Sequence, residues 1–320
     1  MDQREQAVRR WAESLSYGQA LSWQALRNDA SFRRYFRMST PDASYIVMDA
    51  PPEKEKCGPF IEIANLLQKQ GVLTPTIIAR DLDNGFLLLS DFGDTTLLNA
   101  LTKDNADTLY KKALTTLSVL QGAPTASLPE FTTDLMFNEL LLFEEWFLEK
   151  HLERVLSHED KKMLRDFFRW LTEAISHQPK VFMHRDYHSA NLMVLPSGEI
   201  GVLDFQDAFR GPITYDVASL LRDCYIAWPD EAVTRWALQY RDHIALDVSD
   251  EAFLVWFDLM GLQRHLKALM TFSRKYRRDS NDQYLKHIPR VLQYIATVSA
   301  RYPECRLFSN FMESVAPCAV

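Results

Sequence analysis

One short segment in the second half of the chain concentrates side chains that can transfer protons and bind cations. It reads HRDYHSAN, from His184 to Asn191, and Asp204 follows in the sequence LDF. In phosphoryl transfer, an aspartate can orient an attacking hydroxyl and accept its proton, and Mg²⁺ prefers carboxylate and amide oxygens. We therefore expect Asp186 to be the catalytic proton acceptor. We expect Asn191 and Asp204 to complete the catalytic set as ligands of a magnesium ion.

The sequence around this segment predicts strands that would position it. The apolar run VFM precedes the segment, NLMVL follows it, and PSG forms a turn before IGVLDF leads back to Asp204. A hairpin of this kind would bring Asn191 and Asp204 together, although they are 13 positions apart. Polar residues crowded between apolar strands are costly to bury unless they are paired or bind a ligand. An incidental surface loop is therefore the less favoured explanation.

The remaining elements divide the chain into two predicted lobes. In the first, short runs rich in aromatic and β-branched residues alternate with turns, and one helix is predicted between Pro59 and Gly71. In the second, long segments repeat apolar residues at the 3.6-residue period of a helix, and a polar tail follows residue 302. We expect an α+β fold with a β-rich N-terminal lobe, residues 1–92, and a mostly helical C-terminal lobe, residues 93–320.

Composition and charge exclude several classes of function. The chain has 320 residues, of which 47% are hydrophobic and 25% charged, as is typical of a globular protein. A formal net charge of −7 argues against a nucleic-acid partner, because such proteins neutralise phosphates with Lys and Arg. The apolar runs are much shorter than the roughly 20 residues of a membrane span, and the charged N-terminus does not resemble a signal peptide. We expect a cytoplasmic protein that acts on small molecules, with no membrane and no obligate protein partner.

The sequences HRDYHSANLMVL and GVLDFQDAFRGPITYDVASLLRD resemble the aminoglycoside phosphotransferase and choline kinase family. Its members are small-molecule kinases with a protein-kinase-like two-lobe fold, and the resemblance extends over nearly the whole chain. It implies an enzyme that uses ATP and Mg²⁺, with the nucleotide bound by the N-terminal lobe. It also implies that Asp216 braces the catalytic loop, and a charge at a helix N-terminus is the alternative role for this residue. Asp207 is either a second metal-site residue or an ordinary loop residue.

The tripeptide DFG at residues 91–93 matches the metal-binding motif of protein kinases but occurs too early in the chain. In those enzymes the metal aspartate follows the catalytic loop, whereas Asp91 precedes Asp186 by 95 positions. The family resemblance places this tripeptide at the hinge between the lobes. There the backbone groups of Ser90 and Phe92 would bind adenine, and Asp204 would be the true counterpart of the kinase metal aspartate.

The predicted nucleotide site departs from the usual kinase pattern at two positions. The segment NDASFRRYFRM lacks the glycines of a phosphate-covering loop, and Met48 stands near the position of the phosphate-binding lysine. Glu62 matches the usual carboxylate partner of that lysine. Arginine side chains can clamp phosphate instead. The candidate phosphate-binding residues are Ser31, Arg33, Arg34 and Arg37.

Three alternative functions follow from these departures and from the family. A non-catalytic pseudokinase would explain the missing lysine, although the intact catalytic and metal residues favour an active enzyme. Phosphorylation of an aminoglycoside or amino alcohol would require an acidic pocket, to which Glu144 and Glu145 could contribute. A protein-substrate kinase is disfavoured, because the eleven residues between Asp204 and Asp216 leave no room for an activation loop.

Within the family, further segments are similar to bacterial kinases that phosphorylate the anomeric hydroxyl of amino sugars recovered from peptidoglycan, giving the sugar 1-phosphate. These segments include VMDAPPE, FNELLLFEEWFL and QRHLKALMTFSR. An anomeric hydroxyl is more acidic than an ordinary alcohol, which eases proton removal by Asp186. Burial in the core is the alternative for Trp146. The candidate sugar-binding residues are His188, Arg210, Glu139, Trp146 and Arg264.

Overall fold

The computed structural model describes residues 2–15, 17, 20–26 and 32–315. The chain divides into two compact units, each of which contains two segments of sequence. The first unit consists of Met1–Thr96 and Asn191–Asp207, and the second of Leu97–Ala190 and Ala208–Val320. The hairpin region between residues 191 and 207 thus belongs to the first unit, although it lies far along the sequence. The lobe boundary between residues 92 and 93 stays a prediction.

A five-stranded antiparallel sheet and two helices form most of the first unit, with the strand order β1-β2-β3-β5-β4. The predicted helix is confirmed, and it ends before Gly71, whose φ of 93° is favourable only for glycine. The bounds are α1 Gln3–Ser14, β1 Ser22–Ala25, β2 Arg34–Ser39, β3 Ser44–Asp49, α2 Cys57–Gln70, β4 Ile77–Asp81 and β5 Phe86–Ser90.

The two faces of this sheet differ in what they contact. Phe36 and Met38 of β2 point to the face that packs against α1, where they join a buried apolar cluster. The other members of this cluster are Val8, Ala12, Val47, Phe86 and Leu88. Because successive side chains of a strand alternate, Tyr35 and its cross-strand partner Met48 lie on the opposite face. We call the two faces the α1 face and the Tyr35 face.

A hairpin of β7 (Leu192–Val194) and β8 (Ile200–Val202) completes the first unit. The backbone N–H of Val202 donates to the carbonyl of Leu73 at 2.8 Å, so the hairpin is hydrogen-bonded to the segment between α2 and β4. This hairpin confirms the strand–turn–strand arrangement predicted around PSG.

Aromatic contacts fix the hairpin further. Phe205, which follows β8, packs against Phe60 of α2 with ring centroids 4.9 Å apart. The ring of Phe92 lies so close to Gly201 that a Cβ at position 201 would be 2.6 Å from it. Position 201 therefore requires glycine, and the segment after β5 and the strand β8 pack in direct contact.

The second unit is mainly helical, with one two-stranded ladder of β6 (Lys180–Met183) and β9 (Phe209–Pro212). Its longest helix, α9, has 30 residues, and all but two of the residues from 257 to 273 are buried. A π-helix, Glu144–His151, continues α5. The helix bounds are α3 Leu97–Ala100, α4 Ala106–Gln121, α5 Thr133–Phe143, α6 His158–Ser176, α7 Tyr215–Leu221, α8 Asp230–His243, α9 Asp250–Asp279, α10 Ile288–Ser299 and α11 Arg306–Val315. Among the described residues, no helix is sufficiently long and apolar to cross a bilayer.

The helix α11 corrects the prediction of a polar tail after residue 302. Its residues Phe308, Phe311, Met312 and Val315 are buried against the main core of the second unit. They recur at the i, i+3, i+4, i+7 spacing of an amphipathic helix, so the sequence did contain the signal. Charged and polar residues between these four positions obscured it.

The close approach of Phe92 to Gly201 yields a testable prediction about the stability of the first unit. A methyl group at position 201 would force the ring to move, so we expect Gly201→Ala to lower the free energy of unfolding by about 1–3 kcal/mol. The matched control is Gly58→Ala in α2, where nothing lies within 4 Å of an added Cβ. That substitution should raise stability by less than about 1 kcal/mol. Urea denaturation would measure both, and equal stability of Gly201→Ala and the wild type would contradict the packing described.

Candidate active site

Two hydrogen bonds to one buried carboxylate hold the start of the loop of residues 184–190. Asp216, in the first turn of α7, accepts from the backbone N–H of His184 at 2.7 Å and from that of Arg185 at 3.0 Å. Arg185 has φ 78°, a left-handed conformation that costs a non-glycine residue about 1–2 kcal/mol. The two hydrogen bonds therefore hold a strained turn immediately before Asp186. This is the bracing contact expected of Asp216, and the residue also lies at a helix start.

A second buried carboxylate holds the other end of the loop. Asp223, just beyond α7, accepts from both the backbone N–H and the hydroxyl of Ser189, at 2.8 and 2.5 Å. Its other oxygen accepts from the N–H of Tyr225 at 2.8 Å. Asp223 was not among the residues predicted to be functional. The signal that could have found it is a second aspartate at the far end of the short helix that Asp216 begins.

The charges around Asp186 keep its side chain ionised. Burial opposes ionisation of this carboxyl, but the positive charges of Lys267 and Arg264 on α9, with smaller contributions from His188 and His184, outweigh burial. They hold the pKa of Asp186 well below its usual value. A carboxylate of this kind is a permanent hydrogen-bond acceptor at neutral pH. It can orient a hydroxyl group and take its proton late in a reaction, when the new bond formed by the hydroxyl oxygen has made that proton acidic.

The cations of α9 are fixed by residues of α7. Lys267 Nζ donates to the hydroxyl of Tyr215 at 3.0 Å, and the buried Arg264 donates to the hydroxyl of Ser219. Arg264 was a candidate sugar-binding residue. In the structure its partners lie on α7 and its charge acts on Asp186, so its contact with a sugar stays a prediction.

Glu139, another candidate sugar-binding residue, is buried and forms an ion pair with Arg185 at 2.6 Å. It also accepts a hydrogen bond from Gln263 of α9 at 3.3 Å. Both partners lie inside the second unit, and the pair fixes the side chain of the residue that precedes Asp186. The contact of Glu139 with a sugar stays a prediction.

The three other candidate sugar-binding residues have different surroundings. His188 is half-buried and stands edge-on to Tyr225, with ring centroids 5.3 Å apart. Trp146 packs against the core with the ammonium of Lys150 3.8 Å from its ring centroid, in agreement with the core alternative. Arg210 Nη1, on β9, lies 3.4 Å from Oε2 of Glu130, a residue that forms an isolated backbone bridge with Arg210. Of these three, His188 is the one whose charge acts on Asp186.

Asn191 and Asp204 lie together in the first unit, at the base of the β7–β8 hairpin. The backbone N–H of Leu203 donates to the carbonyl of Asn191 at 2.9 Å, and Asn191 Nδ2 is 3.5 Å from Asp204 Oδ2. Asp204 is exposed, has φ 60°, and accepts from Gln206 Nε2 at 2.9 Å. An exposed carboxylate in a left-handed conformation, held between two amide side chains, is the kind of strained position that occurs at functional sites.

The donor atoms of this pair suit Mg²⁺. Within the described part of the chain, no three His, Cys, Asp or Glu side chains are grouped so that they could hold a metal ion. Mg²⁺, however, usually retains several waters and takes one or two protein oxygens together with substrate phosphate oxygens. Asn191 and Asp204 therefore fit a magnesium ion that is bound with a polyphosphate. Asp207 is exposed and 3.4 Å from Gln206 Nε2, so it lies beside this pair.

The early DFG tripeptide forms an ion-paired turn. Asp91 Oδ2 is 2.6 Å from Arg37 Nε and accepts from the Ser44 hydroxyl at 2.6 Å, and Oδ1 accepts from the N–H of Gly93 at 2.8 Å. Burial opposes ionisation of Asp91, but these hydrogen bonds outweigh it and lower the pKa. The Asp91 oxygens thus hold this turn to β2 and β3.

The candidate adenine-binding residues adjoin that turn. Ser90 ends β5, and its N–H and hydroxyl are hydrogen-bonded to the backbone of Thr76, each at 2.9 Å. Phe92 packs on Gly201 as described above. Contact of Ser90 with adenine would therefore have to use its carbonyl group.

The candidate phosphate-binding residues of the first unit lie in different places. Ser31 lies outside the described residues. Glu62 is exposed on α2. Arg34 points to the α1 face, where it pairs with Asp49 at 2.7 Å and with Asp2. Arg37 lies on the Tyr35 face, because it follows Tyr35 by two positions within β2. Arg33 immediately precedes β2, and its charge acts on the Tyr35 hydroxyl.

Comparison with protein-family models settles the relationship of the chain. The model described as "Phosphotransferase enzyme family" matches residues 22–252, which include both the braced loop and the β7–β8 hairpin. The chain belongs to this phosphotransferase family.

Curated relatives of the phosphotransferase extend the match to nearly its full length. An N-acetylmuramate/N-acetylglucosamine kinase of Pseudomonas aeruginosa is 43% identical over 90% of this chain and 87% of its own. A protein of the same name from Neisseria meningitidis is 38% identical, over 94% of this chain and 93% of its own.

Solved structures show the same fold at low sequence identity. A choline kinase from Streptococcus pneumoniae aligns with a TM-score of 0.66 and 15% identity, over 92% of this chain and all of its own. An ADP-bound aminoglycoside phosphotransferase aligns with a TM-score of 0.63 and 15% identity, over 91% of this chain and 98% of its own. The phosphotransferase has the protein-kinase-like α+β fold of these proteins, with a small sheet-containing lobe and a mostly helical lobe. The predicted fold class and family are confirmed.

The buried brace of the loop gives a pH-dependent prediction. Burial raises the pKa of Asp216 to about 6, although its hydrogen bonds and the charge of His184 oppose this. Between pH 4 and 6 the folded state therefore binds a proton that the unfolded state releases. The stability that Asp216 contributes is present below pH 4 and is lost as the pH rises through 6, by about 1.4 kcal/mol per pH unit.

Asp216→Asn does not titrate and is the reference for this measurement. We expect the free energy of unfolding of the wild type, relative to Asp216→Asn, to fall between pH 4 and 6 and to stay constant from pH 7 to 8. Urea denaturation of both proteins at each pH would test this. A difference that is the same at every pH would show that Asp216 does not have a raised pKa.

Proposed function

We propose that this phosphotransferase transfers the γ-phosphoryl group of ATP to the anomeric hydroxyl of N-acetylmuramate or N-acetylglucosamine. The observation that carries the proposal is the 38–43% identity to kinases of that name over about nine tenths of the chain. The braced loop with Asp186 and the exposed Asn191–Asp204 pair supply the side chains that this chemistry requires. The product is the sugar 1-phosphate, an intermediate suited to reuse of cell-wall sugars.

Asp186 has the properties of the proton acceptor. In the reaction the sugar oxygen bonds to the γ-phosphorus, the bond from that phosphorus to the bridging oxygen breaks, and ADP leaves. The hydroxyl proton passes to the Asp186 carboxylate, which Lys267 and Arg264 keep ionised beforehand. Because the transition state of phosphoryl transfer is loose, orientation of the hydroxyl contributes more than strong basicity.

Asn191 and Asp204 would hold Mg²⁺ through their side-chain oxygens. The bound ion would neutralise charge on the phosphate oxygens. The left-handed conformation of Asp204 and its hydrogen bond from Gln206 keep its carboxylate exposed at the end of β8. The adenine would lie against the end of β5, where Ser90 and Phe92 are the candidate contacts. The ADP-bound family member with the same fold supports a nucleotide substrate.

The sugar-binding residues are proposed with different support. His188 has the strongest support, because its charge acts on Asp186 and its ring is only partly buried. Arg210 and Trp146 keep exposed or partly exposed surface that a sugar could contact. Glu139 and Arg264 would contribute mainly by holding Arg185 and Asp186 in position. We place the enzyme in the cytoplasm, where ATP is available.

A panel of acceptors tests the proposed substrate. The protein would be incubated with ATP, Mg²⁺ and one acceptor at a time: N-acetylmuramate, N-acetylglucosamine, glucose, choline or kanamycin. Release of ADP would be followed by a coupled assay. We expect turnover with the two amino sugars. Turnover only with choline or kanamycin would show that the proposed substrate is wrong and that the proposed reaction, phosphoryl transfer from ATP, is right. No turnover with any acceptor, and no thermal stabilisation by ATP and Mg²⁺, would favour a pseudokinase.

Removal of the proposed proton acceptor is the first prediction about the reaction. Asp186→Asn keeps the shape of the side chain but cannot accept the hydroxyl proton, so we expect kcat to fall by about 10²–10⁴-fold. The affinity for Mg²⁺ and ATP should change little, because that affinity depends on other residues. Asp166→Asn, on the exposed surface of α6, is the matched control. Equal kcat for Asp186→Asn and the control would contradict the assigned role.

Removal of the proposed metal ligand should have a different effect. We expect Asp204→Ala to abolish the part of ATP affinity that depends on Mg²⁺, measured as the ratio of dissociation constants with magnesium and with EDTA. Asp83→Ala, an exposed aspartate in the β4–β5 turn, should leave this ratio unchanged. If Asp204→Ala keeps the wild-type ratio, Asp204 is not a magnesium ligand.

A further inference from the structure

Three arginines near β2 are possible replacements for the missing phosphate-binding lysine, and the fold separates their environments. Arg34 points to the α1 face and pairs with the buried carboxylate of Asp49 and with Asp2 at the start of α1. That face is filled by α1 and the apolar cluster around Phe36. Arg34 therefore stabilises the contact between the sheet and α1, and it lies on the opposite side of the sheet from Tyr35.

Arg37 lies on the Tyr35 face but at the other end of β2. Its guanidinium contacts Asp91 at 2.6 Å and Asp94 at 2.5 Å. It also donates to the carbonyl of Gly93 at 3.0 Å. These three contacts bind Arg37 to the turn after β5, so it holds that turn in place.

Arg33 has a different environment, immediately before β2. It is only 6% exposed, and its Nη2 is 3.1 Å from Glu55 Oε2 in the segment between β3 and α2. Its positive charge also acts on the hydroxyl of Tyr35 and favours a lower pKa there. A buried arginine beside a glutamate resembles the kinase pair in which a lysine contacts the phosphates and a glutamate holds that lysine.

Tyr35 connects this pair to the proposed metal site within the first unit. Burial raises the pKa of Tyr35 to about 12, and the negative charges of Asp204 and Glu55 add to this while Arg33 opposes it. Tyr35 is thus within electrostatic range of both Arg33 and Asp204. Met48, at the usual lysine position, is the cross-strand partner of Tyr35 and is fully buried, so an apolar side chain replaces the lysine there.

We propose that Arg33, held by Glu55, binds the phosphates of ATP and replaces the missing lysine of the third strand. A guanidinium carries five N–H donors, so it can hold a carboxylate on one edge and a phosphate on another. Glu55 replaces the helix glutamate as the partner, in agreement with the exposure of Glu62 on α2. The inference rests on the proposed function, since it assumes that the first unit binds ATP.

Comparing the binding of ADP with that of adenosine, which has no phosphates, shows whether Arg33 recognises phosphate or only supports the structure. Calorimetry in the presence of Mg²⁺ would compare the wild type with Arg33→Met, Arg33→Lys and Arg34→Met. The control is Arg80→Met, an exposed arginine on β4. We expect Arg33→Met to weaken ADP binding by at least about tenfold, as a lost charged hydrogen bond does, and to leave adenosine binding within about twofold. Arg33→Lys, which keeps the positive charge, should lose less ADP affinity than Arg33→Met.

The outcomes distinguish this inference from the proposed function. If the wild type binds ADP and both Arg33 variants bind it equally well, the assignment of Arg33 is overturned and the function stands. If Arg33→Met or Arg33→Lys weakens ADP and adenosine equally, Arg33 only supports the structure and the assignment is again wrong. If Arg34→Met weakens the binding of ADP but not of adenosine, and the Arg33 variants bind both ligands as the wild type does, then Arg34 is the residue that binds the phosphates. If the wild type binds neither ligand, both proposals fail.

Discussion

The site depends on buried carboxylates that hold the backbone of a loop. Asp216 accepts two N–H groups at the start of the loop and Asp223 accepts two groups of Ser189 at its end. A buried carboxylate without such donors would be strongly destabilising, and a strained φ at Arg185 without such acceptors would relax. Each feature therefore makes the other possible. The loop between them places Asp186 in a fixed position before any substrate arrives.

The charge of Asp186 depends on the same part of the fold. α7 carries Asp216 in its first turn and the hydroxyls of Tyr215 and Ser219, and Asp223 follows just beyond its end. Those hydroxyls accept hydrogen bonds from Lys267 and Arg264 of α9. The positive charges of these two residues keep Asp186 ionised. One short helix thus determines both the position and the protonation state of the proposed proton acceptor. A loose transition state needs an oriented hydroxyl more than a strong base, and a fixed carboxylate can orient one.

The sequence predicted those parts of the fold and site that depend on local pattern. The strands and the turn around PSG, the pairing of Asn191 with Asp204, and the bracing role of Asp216 all followed from spacing or from family resemblance. What the sequence did not predict depends on tertiary contacts. The sequence could not show which of Arg33, Arg34 and Arg37 binds phosphate. That assignment depends on the face of the sheet that each one occupies and on acidic partners that are distant in sequence. The sequence also did not predict the ion pair of Glu139 with Arg185, because the two residues are distant in sequence.

The most direct test of the account is the position of the phosphate in the product. Wild-type protein, ATP, Mg²⁺ and N-acetylglucosamine would be allowed to react, and the phosphorus and proton NMR spectra of the product would be recorded. Transfer to the anomeric oxygen predicts a new phosphomonoester whose phosphorus is coupled to the anomeric proton. Coupling to the two protons on carbon 6, or no new phosphoester from a protein that is folded and binds ATP, would contradict the account.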